Sequence, residues 1–233
     1  MIRIFVDFEM NKIYKKDPAR NKLHSEIIQI GAVKMNDRYQ VIDRFSLLVK
    51  PEHHSIVVKN VYELTGISMA DLKDAPLLAD AMLQFMDWVG SEEHVKWYAW
   101  SDSDRAQLVR ECTFKGIWDD RCKKTFRRWV DFQRVFSRLI GLHQVISLDR
   151  ALGCVEEQVE GKRHDACFDA ENCARLMALA FDREEFLRRT EYLKIIVREP
   201  VRETFTIGSG AMGSKLDALL AQLKEAEKQE VHS

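Results

Sequence analysis

The stretch IRIFVDFE, residues 2–9, decides the fold. Ile, Phe and Val dominate it, as they do in strands buried within a sheet. Two acids stand near its end. Asp7 and Glu9 are two apart, and successive strand side chains point to opposite faces, so both project from one face. A carboxylate pair on a core strand is costly unless something positive stands beside it. Magnesium, a hard cation that takes oxygen ligands, meets that need. The competing reading, a surface strand with an acidic outer face, is opposed by Phe8 between the acids and by Ile4, Phe5 and Val6 before them.

Working outward, a polar insert at 11–25 carries Lys15, Lys16, Arg20 and Lys22 and reads as a loop. Residues 26–35 (EIIQIGAVKM) and 40–49 (QVIDRFSLLV) read as two more strands, joined by a turn at Asn36-Asp37, which makes a meander. VYELTGISMADL, residues 61–72, reads as a short helix, a glycine stop and a new helix start. Leu78, Met82, Phe85, Met86 and Val89 recur at helical spacing. Residues 95–100 read as a strand and 104–114 as a helix. Residues 129–140 end helical, with their start open between strand and helix. Residues 166–181 and 183–196 read as helices. Strands come first, helices dominate later, and one β-α-β crossover is expected. The expected fold class is α/β, with a mixed central sheet of about five strands flanked by helices.

The chain has 233 residues, enough to bury a substantial core, and a formal net charge of −1. No global basic field draws in long nucleic acid, which argues against a protein that coats DNA or RNA but not against one that grips a strand's end. No stretch is long and apolar enough to span a membrane. The first ten residues, MIRIFVDFEM, do not read as a signal peptide, because Asp7 and Glu9 break the apolar run. The five cysteines form no C-x-x-C pair and read as reduced thiols of a cytoplasmic protein.

Two further pieces carry acids. Asp104 follows the strand candidate EHVKWYAW, where open α/β sheets present ligand residues at the carboxyl ends of strands. A plain helix cap explains it equally well, and Asp102 fits either role. In RHDACFDAENCARL, residues 163–176, His164 precedes Asp169 by five. Asp169 falls in the first turns of a helix, where an acid is favoured in any case, and His164 sits on the loop before it.

Taken together, these pieces resemble the DEDDh 3′→5′ exonucleases, over about residues 2–181. VDFE corresponds to the first family motif, EIIQIGAVK to the strand after it, and VYELTGIS to the loop-helix after the third strand. SDSDRAQL corresponds to the second motif, placing Asp104 by Leu108 four residues later, and RHDACFDAENCARL to the third. ELTGI followed by FMDW is most similar to the RNA-trimming and sporulation-inhibitor branch. The resemblance implies an RNase H-like fold and a domain over 1–182. It leaves 183–233 as a helical appendage with a Gly/Ser hinge at 208–213 and a last helix at 215–228. It also implies two magnesium ions, with manganese as a substitute. Asp7 would bridge both, Glu9 and Asp169 would complete one site, and Asp104 would hold the second. Two such ions clamp the attacking and leaving oxygens of a phosphodiester. His164 would take the proton from the attacking water. Phe8 and Met10 would stack against the terminal base, with core packing the equal alternative for Phe8. The implied partner is the 3′ end of single-stranded RNA or DNA, cut to 5′-mononucleotides. The alternatives are a non-catalytic module that keeps the fold and an editing subunit of a larger polymerase.

Three other signals carry less. GSGAMGSK, residues 208–215, lacks the Gly-Lys-Ser/Thr order of a phosphate loop. Lys123, Lys124, Arg127 and Arg128, interleaved with Phe126 and Trp129, read more readily as a solvated face than as a phosphate contact. Leu216, Leu219, Leu220 and Leu223 form a stripe suited to docking on this domain, a second copy or another protein, rather than on a membrane.

Overall fold

A computed structural model describes residues 1–53, 55–90, 95–155, 157 and 161–191. The hinge, the last helix and the leucine stripe expected after residue 207 lie outside the described residues, as does the end of the helix expected at 183–196.

The sheet has five strands in the order β3-β2-β1-β4-β5. Strands β1 (Ile2–Lys12), β2 (Ser25–Met35) and β3 (Val41–Leu48) form the expected antiparallel meander. Strand β4 (Val95–Ala99) pairs parallel with β1, and the short β5 (Trp129–Asp131) parallel with β4. Two crossovers are therefore present rather than one: α1 to α3 connect β3 to β4, and α4 with α5 connect β4 to β5. This mixed sheet flanked by helices is the RNase H-like architecture.

Helix α1 (Lys59–Thr65) stops at Gly66, which is left-handed at φ 71°, a conformation that suits glycine. Ser68 then starts α2 (Met69–Leu72) with a capping box closed by Asp71. Helix α3 (Leu78–Val89) buries the predicted stripe. With α4 (Asp102–Phe114) and α5 (Asp120–Thr125), it packs on the sheet face formed by Ile4, Val6, Phe8, Ile30 and Trp97. Helix α6 (Phe132–Leu139) follows β5 directly, and α7 (Leu148–Cys154) follows it. The long α8 (Ala166–Phe181) lies across the opposite sheet face, against β1 and β2. Helix α9 (Arg183–Thr190) packs on α8 and buries Phe186 edge-on against Phe136.

The insert expected as a loop at 11–25 is free of strand over 13–24, while Asn11, Lys12 and Ser25 at its two ends join the β1–β2 ladder. Pairing in a ladder is made by backbone groups and does not require apolar side chains. Nearer the root, Glu9 pairs with Gln29 but Met10 with Ile27, a bulge that leaves Ile28 as the extra residue. Ile28 turns into a separate small cluster with Val61, Ile67 and Leu72.

Candidate active site

Asp7 and Glu9 sit on the β1 face that α8 covers, and the reason is the two-residue period. Ile4, Val6 and Phe8 take the other face, within the main core. The same alternation puts Phe8 on the core side, where the residue is 4% exposed and packs within the main cluster, in line with the core-packing alternative. Met10 is half-buried against the same core.

Helix α8 comes unusually close to the sheet. Gly31 lies directly across the ladder from Asp7, and a Cβ built there would stand 2.0 Å from the Ala166 carbonyl carbon. Only glycine admits that approach. Gln29 ties the helix start down: its Nε2 donates to Asp165 Oδ2 at 3.1 Å, and its Oε1 accepts from the Ala166 N–H at 3.2 Å. Asp165 caps the helix, accepting from Cys167 and Phe168 N–H. His164, just before the cap, has φ 56°, a left-handed conformation uncommon outside glycine, asparagine, aspartate and histidine.

This docking brings Glu9, His164 and Asp169 together, with a ligand atom of each within 4.8 Å of the others. Asp104 adds a further carboxylate that acts on Asp7 and Glu9. It follows the carboxyl end of β4 on α4, is 5% exposed, and accepts hydrogen bonds from the Phe8 backbone and from Ser101 Oγ. Ser101, not Asp104, caps α4. Asp102 is exposed, so of the two acids weighed it is Asp104 that points inward.

The charges are crowded. Burial holds Asp7 well above the ordinary carboxylate range, and Asp104, Asp169, Glu9 and Asp165 push it further up. Burial, then Asp169, Asp165 and Asp104, raise Glu9 to about 8. Asp104 is raised to about 7 by burial, against the hydrogen bonds it accepts. Asp169 is raised to about 6 by burial, with His164 pulling the other way. A set of hard oxygen donors with no lysine or arginine among the causes that lower these values is suited to divalent cations such as magnesium. Beside His164 and Asp169 opens a small cleft of about 110 Å³, lined also by Ser147, Leu148, Asp149 and Arg163, with Arg163 paired to Asp149 at 3.4 Å.

The family model for exonucleases of the RNase T type matches residues 4–177. The chain belongs to this exonuclease family, in its DEDDh 3′→5′ branch. Over 193 residues this family member is 26% identical to human ERI1 exoribonuclease 2, an alignment that covers 74% of this chain and 27% of that protein. It thus spans about a quarter of that relative's length. Among solved structures, the nuclease domain of 3′hExo, a DEDDh family member bound to rAMP, has TM-score 0.64 at 19% identity, covering 78% of this chain and 92% of that one. Cell-death related nuclease 4 has TM-score 0.66 at 19% identity, covering 78% and 64%. Both share the fold of this chain.

Gln29, Gly31 and Asp165 are the positioning residues that motif reading passed over. A glycine and a glutamine inside an otherwise apolar strand were the available signal.

Proposed function

We propose that this chain is a metal-dependent 3′→5′ exonuclease that removes 5′-mononucleotides from the 3′ ends of single strands. The observation that carries the reading is the meeting of Glu9, His164 and Asp169 beside Asp7 and Asp104, in a chain of the exonuclease family. Asp7, Glu9, Asp104 and Asp169 would hold two magnesium ions. The ions would supply positive charge against the phosphoryl oxygens as charge builds there. The carboxylates also fix where the terminal phosphate can sit, between β1 and the start of α8. His164, on the loop at the edge of the cleft, accepts the proton of the attacking water at a ring nitrogen. The Asp165 cap and Gln29 anchor the start of the helix directly after His164. The relative aligned over most of this domain is an exoribonuclease, which makes RNA the first substrate class to test.

The test uses the purified chain and 5′-end-labelled RNA and DNA strands, single and double, with magnesium, manganese or EDTA. The expected result is stepwise shortening of single strands from the 3′ end with 5′-mononucleotides released, abolished by EDTA. Cleavage of a circular strand, products bearing a 3′-phosphate, or undiminished activity in EDTA would overturn the reading. A non-catalytic module would bind metal or strand without shortening it.

A further inference from the structure

Between Lys12 and Ser25, the ends of the β1–β2 ladder, the chain makes a folded loop rather than a tether. Ile13 N–H donates to His24 O at 3.1 Å, and Leu23 N–H to Ala19 O at 2.8 Å. A 3₁₀ turn at Pro18–Asn21 is capped by Asp17, which accepts from Ala19 N–H at 2.7 Å. Ile13, Ala19 and Leu23 are buried beneath it. Residues 12–24 hold five Lys or Arg against one acid, Asp17, in a chain whose formal charge is −1. Lys12, Lys15, Lys16 and Lys22 are all exposed, and none is in an ion pair among the described residues.

The loop is rooted in the same elements that carry the site. Lys12 lies three residues beyond Glu9 on β1, about 10 Å along the strand. Ser25, paired with Lys12, is held twice by Gln107: Ser25 Oγ donates to Gln107 Oε1 at 3.0 Å, and Gln107 Nε2 donates to Ser25 O at 2.7 Å. Gln107 is one helical turn from Asp104 on α4. The basic run around Arg127 and Arg128 stands elsewhere. It immediately precedes β5, at the amino end of the parallel strands, whereas Asp104 follows the carboxyl end of β4.

An anionic strand meets net repulsion from clustered carboxylates, and fixed cations at the rim offset it. We propose that the loop at 13–24 is a backbone grip, in which Lys15, Lys16 and Lys22 contact phosphates of the single strand on the 5′ side of its terminal nucleotide. This rests on the exonuclease reading. Lysines act on phosphate as point charges, so the grip is indifferent to sequence.

The test compares wild type, K15A/K16A/K22A, the matching triple arginine variant and R127A/R128A as a control, on a 20-nucleotide single strand and a trinucleotide. At low salt the triple alanine variant is expected to raise KM on the long strand roughly tenfold. Its kcat holds, and the penalty shrinks on the trinucleotide. Arginine restores KM, and the control leaves it unchanged. In the Asp7→Asn background, the slope of log Kd for the long strand against log salt becomes shallower by about 2, three contacts at about 0.7 each for single strands. Unchanged KM and slope in the triple alanine variant overturn the grip. If wild type shortens no strand, the exonuclease reading fails instead, and the salt slope alone then decides the loop.

Discussion

Gly31 faces Asp7 across the β1–β2 ladder, and the space a larger residue would fill there is taken by the backbone of Ala166. A missing side chain on one strand is thus what lets α8 deliver His164 and Asp169 to the carboxylates of the next.

Gly31→Ala should therefore harm the site before it unfolds the domain. The added methyl meets main-chain atoms, which cannot swing away, so the helix start must shift. Overpacking of this kind costs about 1–3 kcal/mol. The expected outcome is a lowered Tm together with at least tenfold weaker manganese binding, read by calorimetric titration. Wild-type manganese affinity in a folded Gly31→Ala protein would show that the close approach does not set the site.

Asp7→Asn, Glu9→Gln, Asp104→Asn and Asp169→Asn should each lower exonuclease activity by orders of magnitude while leaving the fold intact. Asp7 is the sharpest case, since four neighbouring carboxylates act on it. Removing its charge relieves that repulsion, so metal-free Asp7→Asn should melt no lower than metal-free wild type at pH 8. Full activity in Asp7→Asn would sink the metal-site reading.

Stability should depend on pH in a particular direction. Glu9, Asp104 and Asp169 are raised to about 8, 7 and 6, so between about pH 4 and 8 the folded protein holds protons that the unfolded chain has released. Their contribution is fully present below the unfolded values, declines as pH rises above about 4, and is lost in full once pH has passed the folded values of about 6 to 8. In EDTA, wild type should lose Tm relative to Asp169→Asn as pH climbs through that window. Magnesium, which competes with those protons, should bind more tightly as pH rises and restore Tm. A wild-type Tm that tracks Asp169→Asn at every pH in EDTA would refute the sign.

His164→Asn separates a proton acceptor from a metal ligand. Asparagine also tolerates the left-handed backbone at φ 56°, so it is a gentler replacement than alanine. Loss of a general base lowers kcat about 10²–10⁴-fold. Manganese affinity should hold near wild type, because the carboxylates carry the ions. A drop in affinity as large as that of Asp169→Asn would make His164 a ligand instead.

The sequence made some of this legible and not the rest, for physical reasons. The two-residue period put Asp7 and Glu9 on one face, and the glycine in ELTGI marked the end of α1. The same period places Phe8 on the opposite face, within the core. Asp102 and Asp104 are two residues apart, about 200° around a helix, so one must turn away from the site. Which one depends on the direction α4 takes after β4, and no local pattern encodes that. Gln29, Gly31 and the bulge at Ile28 act through contacts between elements distant in sequence. Glu111 is of the same kind: buried on α4, it accepts from the Ile27 N–H at 2.8 Å beside the bulge.

The proposed ligands come from both extremes of the domain. Asp7 belongs to the first strand, and Asp169 to α8, near the end of the region the exonuclease model matches. Domains fold as units during synthesis. A chain still on the ribosome, with β1 and the meander made but α8 not yet emerged, lacks both Asp169 and His164. On the exonuclease reading, such a nascent chain cannot yet cut a strand, and that ability appears only once the domain is nearly complete.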